Sequence, residues 1–303
     1  MNAKNSNGTA LMAAAARAAH LVVDRPPLIF SDPLAKLLLG SEAGELLGYH
    51  RLHGDRPVLA AARAQTICRS RYAEDRALRA FDSGMRQCVV LGAGLDTFAH
   101  RSGSTEHVRF FEVDRPDAQR TKRERLAAAG IPVPGRVTYV PLDFERDSLA
   151  EGLHAHGFDG AEPSVVLWLG VSMYLGADAV AGTLAATGSF AVGTELVMDY
   201  LLPAEMRDAA AQQYVDAVAL FAAEQGEPWQ TFFTPGGLAA LLSDCGFDVV
   251  ESVRQHEMLD ATLWDRQDAL APIDLSRVVH ARVRGQRSEY HAGPCPARKG
   301  WTP

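Results

Sequence analysis

Val89-Val90-Leu91-Gly92-Ala93-Gly94-Leu95-Asp96-Thr97 is the stretch that decides the fold of this 303-residue chain. An unbroken apolar run enters a glycine turn, and a helical pattern leaves it. The missing side chains at Gly92 and Gly94 let a ligand approach the backbone, and the helix that follows presents unpaired N–H groups. Such a turn holds a nucleotide or nucleoside cofactor, or else serves tight packing alone; a GxG by itself does not choose.

Working outward, the run Cys88–Gly92 is the first of a series, followed by Val108–Val113, Val137–Leu142, Ser164–Gly170, Gly193–Tyr200, Phe247–Val253 and Val278–Val283. The first runs are continuously apolar, as strands covered by helices on both faces must be. Helical patterns fall between them at Asp117–Ala129, Ser148–His156, Asp178–Thr187 and Thr234–Cys245. This alternation predicts an α/β fold with a doubly wound, mostly parallel seven-stranded sheet. Upstream, Thr9–Val23 is an alanine-rich helix stopped by Pro26-Pro27. Ser31 or Asp32 caps a short helix, and Ala60–Phe81 forms a longer one. The expected organisation is an N-terminal helical cap over residues 1–85 and a core over 86–290 with a helical insertion at about 203–226. A loosely ordered tail occupies 291–303.

Two further strand ends sharpen the glycine turn. Asp114 closes the second run 20 residues after Gly94, where open α/β sheets place an acid that accepts hydrogen bonds from a ribose. Alternation puts Glu112 on the same side, so either acid can reach; the other role for Asp114 is to cap the helix near Pro116. Asp143-Phe144 ends the third run, where an acid can accept from an exocyclic amine while the ring covers a purine; otherwise Asp143 starts a turn. A nicotinamide dinucleotide fits less well, because its fingerprint wants a third glycine where Thr97 stands. A serine hydrolase would want GxSxG, and Gly170-Val171-Ser172-Met173-Tyr174 lacks the second glycine.

Composition narrows the partners. With 30 Lys+Arg against 37 Asp+Glu the net charge is −7, which supplies no global cationic field for nucleic acid. The longest apolar stretch, Val165–Leu175, is about half a membrane span. Arg17 and His20 interrupt the alanine run that a signal peptide would need. Cys68, Cys88, Cys245 and Cys295 form no CxxC pair, with Cys88 and Cys245 reading as buried thiols. His154 and His156, two apart, cannot share a helix face, so no metal is expected. The expectation is a soluble, cytoplasmic, metal-free protein with no nucleic-acid or membrane partner and an unspecified oligomeric state.

Leu91-Gly92-Ala93-Gly94-Leu95-Asp96-Thr97, Phe111-Glu112-Val113-Asp114-Arg115-Pro116 and Met173-Tyr174-Leu175 together resemble the leucine carboxyl methyltransferase-like family. Its members are class I methyltransferases dependent on S-adenosylmethionine (SAM), and the chain is most similar to bacterial, actinobacterial-type ones. The likeness extends over roughly residues 9–255, through Asp32-Pro33-Leu34-Ala35, Arg69-Ser70-Arg71-Tyr72, Glu227-Pro228-Trp229 and Gly246-Phe247. The resemblance implies that SAM is the cofactor, with Gly92, Ala93 and Gly94 along its methionine part, Asp114 on the ribose, and Asp143 with Phe144 at the adenine. It also implies that Arg71 pairs with the cofactor carboxylate, for which a guanidinium fork is well shaped; otherwise Arg71 is a surface charge beside Glu74 and Asp75. Tyr174 borders the methyl-transfer site on this reading, or is a core tyrosine. Leu169-Gly170 stands where relatives often have Glu-Gly, so either a SAM contact is lost or backbone replaces it.

Methyl transfer from a sulfonium is an in-line displacement governed by positioning and desolvation. A carboxylate acceptor is ionised at pH 7 and needs no base, whereas a phenol titrates near pH ~10. No histidine stands where a base is needed; His100 is the nearest in sequence. The expected reaction is therefore O-methylation of a carboxylate on a small molecule or peptide in secondary metabolism. Methylation of a polyketide-like hydroxyl, an NAD(P)-dependent dehydrogenase and a SAM-binding protein without catalysis are the other readings. Phe221, Trp229, Phe232 and Phe233 are candidates for an apolar acceptor lining, or for plain core.

Overall fold

The computed structural model describes residues 8–101 and 105–285; the expected tail 291–303 and Cys295 lie outside them. Four helices come first: α1 (Gly8–Val23), α2 (Pro33–Leu38), α3 (Ala43–His53) and α4 (Pro57–Asp82). Asp32 is the cap of α2, accepting from the Ala35 N–H at 3.1 Å with Pro33 in the first turn. Then follow β1 (Gln87–Leu91), α5 (Phe98–Arg101), β2 (Arg109–Asp114), α6 (Pro116–Ala128), β3 (Val137–Pro141), α7 (Leu149–Ala155) and β4 (Val165–Trp168). The chain continues through α8 (Ala177–Gly188), β5 (Glu195–Leu201), α9 (Ala209–Glu224), α10 (Pro235–Asp244), β6 (Phe247–Arg254) and β7 (Ser276–Val283).

All seven strands join one sheet in the order β3-β2-β1-β4-β5-β7-β6. The pairs from β3 to β5 are parallel, while β7 runs antiparallel to both β5 and β6. Both faces are covered. On one, Val89, Phe111, Val166, Trp168 and Met198 pack with Leu153 of α7, Leu184 of α8 and Leu242 of α10. On the other, Cys88, Val90, Phe110, Val165 and Leu167 meet Ile67, Ala77 and Phe81 of α4 and Phe98 of α5. This double burial explains why the first strands are apolar at successive positions instead of alternating. It also makes α4 a layer of the sheet as well as part of the N-terminal helices.

The insertion is a short turn of helix at Ala204–Met206 followed by α9. The unanticipated α3 buries only Leu47 and His50 of its own residues. Strand order reverses between β1 and β4, and a crevice outside the carboxyl ends of these strands is where open α/β sheets bind ligands.

Candidate active site

A cavity of about 460 Å³ opens at that reversal, within the range of small-ligand sites. The end of β1 turns into it through Gly92 at φ 65° and Gly94 at φ 43°. The N–H groups of Gly92 and Ala93 both donate to the Val113 carbonyl, at 2.8 and 3.1 Å, which ties the turn to β2. A Cβ on Gly92 would stand 2.3 Å from Val171 Cγ2, so only glycine fits between this turn and the segment after β4.

Asp114 ends β2 inside the cavity. Its Oδ2 accepts from the Gly94 N–H at 2.6 Å and its Oδ1 from the Arg115 N–H at 2.8 Å. Burial raises its carboxyl above the usual range against the pull of these donors. Arg115, not Asp114, is the residue that precedes α6 as its cap. Glu112 is excluded from the cavity: its carboxylate lies 2.6 Å from Lys122 Nζ and 3.5 Å from His100 Nε2, all three side chains being buried. That pairing also removes His100 from any role as a base at the cavity.

Asp143 and Phe144 follow β3 and line the same space. Asp143 Oδ1 accepts from the Glu145 N–H at 3.1 Å, a tight turn that leaves the carboxylate at the cavity edge. Leu169, Gly170 and Tyr174 line it from beyond β4. Burial raises the Tyr174 phenol, so it is not ionised near neutral pH.

Arg71 requires a correction. It is exposed on α4, where its Nε donates to Asp75 Oδ2 at 2.7 Å and its Nη1 to the Ile29 carbonyl at 3.2 Å, and it takes no part in the cavity wall. Arg69 lines the cavity instead. Its Nη1 donates to Asp199 Oδ2 at 2.9 Å, and Asp199 Oδ1 accepts from the Gly170 N–H at 2.6 Å. Asp199, buried on β5, therefore fixes both the arginine and the turn after β4. Sequence reasoning passed over both Arg69 and Asp199; the signal for the latter was an acid inside an otherwise apolar strand, which demands a partner. A Cβ on Gly170 would fall 2.4 Å from Arg69 Nη2, so the missing side chain makes room for the guanidinium.

The remaining wall comes from α1, through Thr9, Ala10, Ala13 and Arg17, and from the segment after α9, through Gly226, Glu227, Pro228 and Gln230. Thr9 Oγ1 donates to Glu227, joining the two segments, and Arg115 Nη2 reaches Glu227 Oε1 at 3.4 Å. Gln230 is anchored by its N–H to the Met173 carbonyl at 2.7 Å and by its Nε2 to the Tyr174 carbonyl at 2.6 Å. The aromatic candidates do not line the cavity. Phe233 is core, Trp229 and Phe232 pack in a cluster with Met173 and Leu201, and Phe221 is 41% exposed on α9.

A doubly wound sheet with a glycine turn after its first strand, acids at the ends of the next two and an arginine beside the fourth defines a class I, SAM-dependent methyltransferase. The family model for leucine carboxyl methyltransferase matches residues 10–188, and the chain belongs to that family. YktD of Bacillus subtilis strain 168, whose name proposes a SAM-dependent methyltransferase, is 29% identical over 93% of this chain and 99% of its own. A relative from Saccharopolyspora erythraea, named in the same way, is 32% identical over 71% of this chain and 77% of its own. Among solved structures, a DUF574 family protein from Streptomyces avermitilis shares the fold with a TM-score of 0.58 at 18% identity, covering 89% of this chain and 97% of that one. SAM is the cofactor of this enzyme, and the cavity suits it: a glycine turn that no Cβ could share, carboxylates at two strand ends and a guanidinium beside the turn after β4.

Proposed function

We propose that the enzyme transfers the methyl group of SAM to a carboxylate oxygen of a small molecule or peptide, in the cytoplasm, as a step of secondary metabolism. One observation carries the choice of acceptor. Apart from its carboxylates the cavity offers no base among the described residues: no histidine, lysine or cysteine lines it, and the one tyrosine there is held as a phenol. An acceptor that is already ionised needs no such group.

Bound SAM supplies an electrophilic methyl on a sulfonium sulfur. The chain's own residues orient it. The backbone of Gly92, Ala93 and Gly94 would run beside the methionine part, Asp114 would accept from the ribose hydroxyls, and Asp143 with Phe144 would hold the adenine. Arg69, in place of Arg71, pairs with the carboxylate, while Leu169 and Gly170 contribute an apolar side chain and backbone. Tyr174 borders the acceptor. A carboxylate oxygen placed in line would take the methyl carbon, and the electron pair of the carbon–sulfur bond would stay on sulfur. The buried free thiols Cys68 and Cys88 suit a reducing compartment.

The test is transfer from methyl-labelled SAM to a panel of carboxylic acids and peptides, followed by alkali. A methyl ester releases its label as methanol. Label that resists alkali replaces this reading with the hydroxyl acceptor, and saturable SAM binding with no transfer to any acceptor replaces it with a binding protein.

A further inference from the structure

We propose that Arg17 of α1 is a positioning residue for the cofactor: by holding the Leu95 carbonyl it fixes the glycine turn in the shape that presents the Gly94 N–H to Asp114. The inference rests on the cavity being the SAM site and is independent of which acceptor is methylated.

Ala93 to Asp96 close a four-residue turn, the Asp96 N–H donating to the Ala93 carbonyl at 2.7 Å. Gly94 sits second in it at φ 43°, and a glycine backbone is free enough that such a turn needs holding from outside. Its N–H donates to Asp114 Oδ2 at 2.6 Å, so the turn and the ribose acid are oriented together. The Asp96 N–H and the Leu95 carbonyl belong to one rigid peptide plane. The Ala93 carbonyl grips one edge of that plane. Arg17 grips the other, its Nη2 donating to the Leu95 carbonyl at 2.7 Å. Helix α5 begins only at Phe98, so this carbonyl lies ahead of the helix, and among the described residues no backbone N–H donates to it. Among the same residues, Arg17 is the side chain that reaches positions 92–96 with a hydrogen bond from outside the span 92–114.

What aims Arg17 is equally specific. Its Nε donates to Asp32 Oδ2 at 2.8 Å, while Asp32 Oδ1 accepts from the Ala35 N–H at 3.1 Å. Burial opposes ionisation of Asp32, but Arg17 and Arg101 prevail and hold its carboxyl below the usual range. The guanidinium therefore places one N–H on a fixed carboxylate and another on the turn, a two-pronged grip that a planar fork allows and a single ammonium does not. Packing brings the helix close enough. Leu95 shares a buried cluster with Ala14, Ala15 and Ala18 of α1, and a Cβ on Gly94 would stand 3.2 Å from Ala10 Cβ. Ala10, Ala13 and Arg17 fall on one face of α1, and all three line the cavity.

The test is calorimetry with S-adenosylhomocysteine, together with hydrogen-exchange mass spectrometry of the peptide covering residues 92–98, on full-length variants that circular dichroism shows to be folded. In Arg17→Met the affinity is expected to fall about tenfold, as for loss of a hydrogen bond from a charged group, and exchange across 92–98 in the free protein to rise about tenfold. Arg17→Lys keeps a charge beside Asp32 without bonding the carbonyl as well, and is expected to restore the urea midpoint but not the affinity. Wild-type affinity in either folded variant, or unchanged exchange across 92–98 in Arg17→Met, overturns the proposal. So does a lowered urea midpoint with unchanged affinity, the mark of a residue that only stabilises the fold. Should neither variant fold, the wild type decides: exchange across 92–98 must be slow before ligand is added, and a turn protected only once S-adenosylhomocysteine is bound overturns the proposal. Failure of the wild type to bind S-adenosylhomocysteine overturns the placement of the cofactor, and the proposal with it.

Discussion

Arg69 and Arg71 stand two residues apart on α4, so the helix turns them about 200° from each other. One meets Asp199 and the cavity, the other Asp75 and solvent. Motif resemblance cannot separate two arginines in Arg69-Ser70-Arg71-Tyr72, because the choice depends on helix phase. That phase is set by which face meets the sheet, a tertiary fact. The two predict opposite results. Arg69→Ala is expected to weaken S-adenosylhomocysteine binding by about 1.5–3 kcal/mol, the cost of a charge-assisted hydrogen bond. Arg71→Ala is expected to change it by less than about 0.5 kcal/mol, since an exposed i,i+4 pair contributes little. Titration calorimetry on the two variants checks both. By contrast, Asp114 is legible in the sequence alone, because the end of a second parallel strand is a position the backbone topology itself defines.

Elements differ in how much of their sequence they commit to burial, and this decides which of them a sequence reveals. Strands β1, β2, β4 and β5 are buried on both sides and announce themselves as apolar runs, unlike β3 and β6 at the edges. Helix α3, with Gly44 and Gly48 in its interior and only Leu47 and His50 buried, leaves no such trace. The pairing that joins α1 to the segment after α9 was equally hidden, since Thr9 and Glu227 are 218 residues apart. Glu227→Ala removes the acceptor shared by Thr9 and Arg115. It is expected to raise amide exchange in the first turns of α1 and the dissociation rate of S-adenosylhomocysteine, measured by hydrogen-exchange mass spectrometry and stopped flow. A second tie joins the 25–27 link to the segment before β7: Arg266 donates to the Arg25 and Pro27 carbonyls and pairs with Asp268 at 2.6 Å. Burial works against ionisation of Asp268, but the Arg266 hydrogen bond and the Arg25 N–H prevail and hold its carboxyl at about 2. A carboxyl lowered on folding contributes stability that is complete above its unfolded value near 4 and is lost as pH falls toward 2. Urea midpoints followed from pH 5 to pH 2.5 are expected to fall for the wild type and to fall less steeply for Asp268→Asn.

At the scale of the whole molecule the sheet is a plate with helices on both sides, and aromatic contacts join it to the helices on one of them. Phe110 on β2 is fully buried and meets Phe98 and Phe81 edge to face, with ring centroids 5.6 and 6.1 Å away. Phe110→Ala is expected to cost about 3–5 kcal/mol in urea-induced unfolding, with the fold retained. The class of fold was legible because alternating strands and helices allow few other architectures, whereas the insertion of β7 between β5 and β6 leaves no mark in periodicity. That insertion imposes an order on biosynthesis. Phe247–Arg254 leaves the ribosome first, yet it pairs with nothing but Ser276–Val283, and β5 keeps an open edge until the same strand arrives. A nascent chain that has reached residue 275 thus carries a complete parallel half and two strands without their common neighbour. At that stage of synthesis its open strand edges are the surfaces prone to pair with another chain.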